Sequence, residues 1–152
     1  MPDVAKIAAD LERAGLGAVE VAEEGLGVVC RADTSEVSRV LEALKADGFE
    51  MLLDVFGADT GEGLVVTYHL RSISLDEDVY VTADLAYGGT LASVWMSYPS
   101  ALYPERETAE LFGLTLEGHP NPKRLLTTDA VEEPLLLKST AVRTHEEVRR
   151  DG

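Results

Sequence analysis

Apolar residues recur along this chain with two different periods, and the points where the period changes divide it into elements. Val4, Ile7, Ala8 and Leu11 keep helical spacing and Gly15 supplies a left-handed stop, so a helix is predicted over Pro2 to Gly15. Two short strands follow, Ala18 to Glu24 and Leu26 to Arg31, joined tightly through Glu24-Gly25. Asp33 and Glu36 form a capping-box pattern ahead of Val37, Val40, Leu41 and Leu44, and Gly48 closes that second helix.

Three further strands are predicted at Phe49–Phe56, Leu64–Ser74 and Val79–Ala86. In the middle one Val66, Tyr68 and Leu70 alternate with Thr67, His69 and Arg71, the writing of a strand with one dry and one wet face. From Thr90 the spacing reads as helical through Leu91 to Met96, until Pro99 breaks it and Ser100 is placed to cap a helix running from Ala101 to Phe112. Gly113 ends that helix, and an extended Leu114-Thr115-Leu116 leads into Gly118-His119-Pro120-Asn121-Pro122. The pattern gives a two-layer α+β domain over residues 1–126, with about five strands in a sheet backed by helices, and a C-terminal tail over 127–152.

The least ordinary stretch is the helix that carries Glu105, Arg106, Glu107 and Glu110. Leu102, Ala109 and Phe112 lie on one stripe, and Glu105 and Arg106 fall on or beside it. Desolvating such charges is costly unless they are paired, so opposite charges or a partner must complete the site. The two prolines and Gly118 hold the following loop to one shape, and the basic pair Lys123-Arg124 leaves it, an arrangement suited to docking with little loss of conformational freedom.

Charge narrows the partners. The net charge is −15, which excludes nucleic acid as a partner because phosphate binding needs a cationic footprint. Residues 1–104 carry 6 basic and 18 acidic side chains, whereas residues 105–152 carry 7 and 10, so the C-terminal third is the part best suited to approach another acidic protein. Apolar runs such as Met51-Leu52-Leu53 fall far short of the roughly 20 residues of a membrane span, and no charged-then-apolar leader opens the chain, so a cytoplasmic location is expected.

Catalytic chemistry is sparse. Glu105, Glu107 and Glu110 could supply an acid and a base, but no phosphate loop and no nucleophile in a recognisable setting accompanies them. The histidines, His69, His119 and His145, have no metal-ligand spacing among themselves or with Cys30. The single cysteine excludes an internal disulfide and sits in an apolar run as a buried thiol. No independent catalysis, metal or cofactor is expected.

Ser93-Val94-Trp95, Ala101-Leu102-Tyr103-Pro104-Glu105-Arg106-Glu107, Leu111-Phe112-Gly113-Leu114, Gly118-His119-Pro120 and Arg124-Leu125-Leu126 together resemble the C-type subunit of NADH-quinone oxidoreductase, respiratory complex I. The resemblance covers about residues 93–126 and implies a two-layer α+β fold with a mixed sheet. It also implies an accessory, cofactor-free member of the peripheral arm, at the cytoplasmic face of the membrane and attached only through the complex. Its partners would be other peripheral-arm subunits, chiefly the D-type subunit that helps form the quinone site. Electron transfer from NADH to quinone would belong to the assembly. The expected contact residues are Glu105, Arg106, Glu107, Glu110, Gly118, His119, Pro120, Lys123 and Arg124.

The chain departs from that family's pattern at Glu110, where an aspartate is usual, at Asn121-Pro122-Lys123-Arg124, and at Glu132-Glu133-Pro134-Leu135-Leu136-Leu137-Lys138, where a second basic Gly-His-Pro element is usual. Similar subunits of energy-converting membrane-bound hydrogenases form the alternative. The leucine triplet of the tail is expected to be buried against a partner.

Overall fold

The computed structural model describes residues 2–25, 27–123 and 136–137. Helix α1 spans Val4–Arg13, and the Asp3 carboxylate caps it by accepting the amides of Ala5 and Lys6. Strands β1 (Glu20–Glu24) and β2 (Gly27–Arg31) form an antiparallel hairpin. A 3-10 turn, Thr34–Glu36, capped by Asp33, feeds α2 (Val37–Ala46). Strands β3 (Met51–Asp59), β4 (Leu64–Ser72) and β5 (Glu77–Leu85) then run as an antiparallel meander.

The five strands make one mixed sheet in the order β1-β2-β5-β4-β3, with β2 and β5 parallel and in register at Val28–Val79 and Cys30–Val81. Side chains alternate across a strand, so Cys30, Val66, Tyr68, Leu70, Val79 and Val81 share one face. They form a single buried cluster with Ile7 and Leu11 of α1 and Val40, Leu41 and Leu44 of α2. The architecture is the two-layer α+β domain with a mixed sheet expected from the pattern.

Strand β6 (Thr90–Ala92) pairs in parallel with β7 (Thr115–Glu117), and between them lie a 3-10 turn, Pro99–Ala101, and helix α3 (Leu102–Phe112). Here the helical reading of Leu91 to Met96 fails. The spacing of Leu91, Val94 and Tyr98 marks real burial, but only one turn closes, through Tyr98 N–H to Val94 O. Pairing of Thr90–Ala92 with a strand more than twenty residues away overrides the local period. Ser100 is not a cap either; its hydroxyl donates to Leu52 O at 2.7 Å, and α3 starts from Ala101 without a side-chain cap. Thr67, expected on the wet face of β4, is buried between the flanking strands β5 and β3.

Helix α3 packs on the edge strand β3. Its stripe of Glu105, Thr108, Ala109 and Phe112 is buried, and Gly113 at φ 70° ends it in the left-handed conformation. The Leu136 amide donates to Leu111 O near the C-terminal end of α3, and Leu137 is half-buried against the core. Thus the domain itself takes up part of the leucine triplet expected against a partner, because the last carbonyls of a helix lack intrahelical donors. The rest of the tail, Arg124, and the boundary between 126 and 127 lie outside the described residues.

Candidate docking site

Glu105 faces inward. It is 0% exposed, one carboxylate oxygen accepts the Ser93 hydroxyl at 2.7 Å and the other accepts the Val94 amide at 3.0 Å. The carboxylate therefore ties α3 to the chain just after β6, doing with a side chain what a strand ladder does with a carbonyl. Burial raises its pKa, opposed by the bonds from Ser93 and Val94 and by His119 nearby. Ser93 and Val94 are functional partners that charge patterning alone missed, although both lie in the Ser93-Val94-Trp95 segment that carries the family resemblance.

Arg106 turns the other way. Its Nε donates to Lys123 O at 2.8 Å, and its guanidinium carbon lies 5.9 Å from the centre of the Tyr103 ring. A contact across seventeen residues of sequence holds the exit of the loop against the helix.

The loop itself is fastened at three more points. Trp95 Nε1 donates to Gly118 O at 2.9 Å. His119 Nε2 is 2.8 Å from Leu102 O and therefore carries the proton, since a carbonyl only accepts; the Asn121 amide donates to the remaining nitrogen, Nδ1, at 2.9 Å. Both ring nitrogens are occupied, so the imidazole is spent on holding the loop. Gly118 has φ 75°, open only to residues without a Cβ penalty.

Outside these tethers the surface is presented to solvent. Gly118, Pro120, Lys123 and Glu107 are exposed, and Arg106 and Glu110 are half-buried. A small hollow of about 160 Å³ opens between Leu102, Tyr103, Arg106, His119 and Pro120. Tyr103 is 66% exposed and Met96, after the tethering Trp95, is 84% exposed, so large apolar groups flank the loop. The structure thus brings Arg106, Gly118, His119, Pro120 and Lys123 into one patch, places Glu105 beneath it, and leaves Glu107 on the solvent side of α3.

Among the described residues no group of three or more His, Cys, Asp and Glu is placed to hold a metal, and no helix is long and apolar enough to cross a membrane. Cys30 is buried in the sheet, and desolvation pushes its thiol up to about 12.

Comparison with known proteins places this geometry. Residues 29–145 match the family model described as respiratory-chain NADH dehydrogenase, 30 Kd subunit. The C-type subunit of NADH-quinone oxidoreductase from Parvibaculum lavamentivorans is 33% identical over 147 residues, covering 93% of this chain and 72% of that protein. Its counterpart in Methylobacterium sp. is 34% identical over 78% of this chain and 58% of its own length. The J-type subunit of NAD(P)H-quinone oxidoreductase from Prochlorococcus marinus is 32% identical over 76% of this chain and 73% of its length. This chain therefore spans between 58% and 73% of these three relatives.

Among solved structures, a trypsin-resistant fragment of Nqo5 superposes with a TM-score of 0.66 at 26% identity, covering 76% of this chain and 98% of the fragment. A chain of the membrane-bound sulfane sulfur reductase, an archaeal respiratory membrane complex, shares the fold with a TM-score of 0.74 at 20% identity, over 97% of this chain and 89% of that one. The matched span includes everything from α2 to β7 and every tether of the loop, and by that match the chain belongs to the family of the respiratory-chain NADH dehydrogenase 30 Kd subunit.

Proposed function

We propose that this chain is an accessory, cofactor-free subunit in the peripheral arm of an NADH-quinone oxidoreductase, and that it holds neighbouring subunits in register while the assembly carries electrons from NADH to quinone. Its chief partner is the D-type subunit, and it reaches the cytoplasmic face of the membrane only through the complex. The observation that carries this reading is the loop Gly118 to Lys123, fastened from Trp95, Leu102 and Arg106 while its outer surface stays exposed. A surface ordered before contact loses little entropy on binding. The hollow beside Pro120 and the exposed Tyr103 supply the apolar anchors that interfaces favour, and Lys123 supplies a cation on an otherwise acidic chain.

Co-purification from native membranes tests the reading. Tagged wild-type chain should retain the D-type subunit, and Arg106→Ala should reduce that yield while far-ultraviolet circular dichroism of the isolated variant stays native. Wild-type yield of the partner with Arg106→Ala, or retention of no respiratory subunit by the wild type, overturns it. Retention of a nickel-site hydrogenase large subunit instead would assign the chain to the equivalent position in an energy-converting membrane-bound hydrogenase.

A further inference from the structure

A cleft of about 260 Å³ lies away from the loop, between the start of α2 and the β6–β7 pair. Its polar lining is Thr34, Ser35, Ser38, Tyr68, Thr90 and Glu117, and no lysine, arginine or histidine is among the described residues that line it. Tyr68 is 0% exposed, yet its hydroxyl has no hydrogen-bond partner among the described residues. Buried hydroxyls are nearly always satisfied, and phenylalanine would pack the same space without this cost, so the orphan oxygen points to something the cleft receives.

Electrostatics choose its sign. Glu117 is the acidic residue that lines the cleft, and the charge of Glu105 acts on the Tyr68 phenol. Both Glu105 oxygens are engaged by Ser93 and Val94, and His119 acts on its charge from the side of the loop, while among the described residues no lysine or arginine does. The chain around it carries a net charge of −15. An anion is repelled here and a cation is attracted. Scattered single acceptors, hydroxyls and one carboxylate, suit the compact three-donor ammonium better than the planar fork of a guanidinium, which matches paired carboxylate oxygens.

We propose that this cleft receives the ammonium end of a lysine side chain from a neighbouring subunit, which donates to the Tyr68 hydroxyl oxygen and the Glu117 carboxylate and offsets the charge of Glu105. The lysine as source rests on the reading of the chain as a subunit of a larger complex; the cation chemistry does not.

The full chain carrying 13C at tyrosine Cζ separates the two. Titration with n-butylammonium should give a saturable shift of the Tyr68 resonance, and n-butanol should not. Glu117→Gln should weaken the butylammonium affinity about tenfold or more, as removal of a charge-assisted bond does. In isothermal titration calorimetry Tyr68→Phe should weaken the butylammonium affinity without lowering the melting temperature. No saturable shift, an equal response to butanol, or unchanged affinity in Glu117→Gln overturns the cleft as a cation site and leaves the assembly reading untouched.

Zero-length carbodiimide crosslinking of the native complex tests the source. A crosslink from Glu117 to a lysine of another subunit is expected. Its absence in an assembled complex where other carboxylates do crosslink overturns the lysine as source. A tagged chain that retains no other subunit overturns the assembly reading and the lysine source together, while butylammonium binding would still stand.

Discussion

The ring of Phe112 occupies the space that a side chain at Gly57 would need: a Cβ built there would lie 2.8 Å from two ring carbons. This close approach brings α3 down onto β3, and it explains why a glycine sits in the middle of an edge strand. Gly57→Ala should therefore lift the end of α3 and cost about 1–3 kcal/mol by overpacking. Urea denaturation checks the value, and an unchanged midpoint would mean the ring moves aside freely.

Removing the Glu105 carboxylate should unfold from the same side of the molecule. Glu105→Ala leaves the buried Val94 amide and the Ser93 hydroxyl without their acceptor, a loss of about 2–4 kcal/mol in equilibrium unfolding. Glu105→Gln keeps one acceptor and the volume, and should lose less than half as much. If Glu105→Ala were as stable as the wild type, the inward carboxylate would have no structural role.

The pH dependence of that difference has a definite sign. Burial raises the pKa of Glu105 above its ordinary 4.5, so between the unfolded and folded values the native state binds more protons than the unfolded chain. Its contribution therefore favours folding most at low pH and declines as pH rises through that interval. Glu105→Gln has no such group, so wild type minus Glu105→Gln stability should fall from pH 4 towards neutrality, measured by urea unfolding at each pH. A flat or rising difference would contradict the dominance of burial at this carboxylate.

Thr108 guards the open side of the sheet. Its hydroxyl donates to Val55 O at 3.0 Å, and Ser100 does the same for Leu52 O at 2.7 Å, so α3 and the turn before it cover carbonyls of the edge strand β3 with side-chain hydroxyls. Unpaired edge groups invite pairing with other chains. Thr108→Val, which keeps the shape and deletes the donor, should cost about 1 kcal/mol and, combined with Ser100→Ala, raise light scattering during refolding. Clear refolding of the double variant at the wild-type rate would show the edge needs no such cover.

Much of this was legible in the chain, and the exceptions share a cause. The first two helices and the five long strands follow local period and local stop signals: Val40, Leu41 and Leu44 on one side, Gly15 and Gly48 with positive φ on the other. The parallel β6–β7 pair was not legible, because Leu91, Val94 and Tyr98 repeat at helical spacing while the partner strand lies beyond α3. Ser100 preceding a helix reads as a cap until β3 offers it a carbonyl. In the site, an ionic group on an apolar stripe was visible in Glu105, but its direction was not, since inward and outward solutions share one sequence pattern. Its partners Ser93 and Val94 come from the segment whose fold was misread. Tyr68 reads as a residue of the dry face of β4, and no pattern in the sequence marks a hydroxyl that lacks a partner.

The loop from Gly118 to Lys123 is anchored by Trp95, which follows β6, and by Leu102 and Arg106 of α3. These anchors sit beside their partners only where both the β6–β7 pair and α3 are in place, so the outer surface of the loop depends on both. Where neighbouring subunits dock on that surface, as proposed, a half-folded chain offers them nothing to recognise, and the tethers act as a proofreading device that admits only a finished domain to the complex.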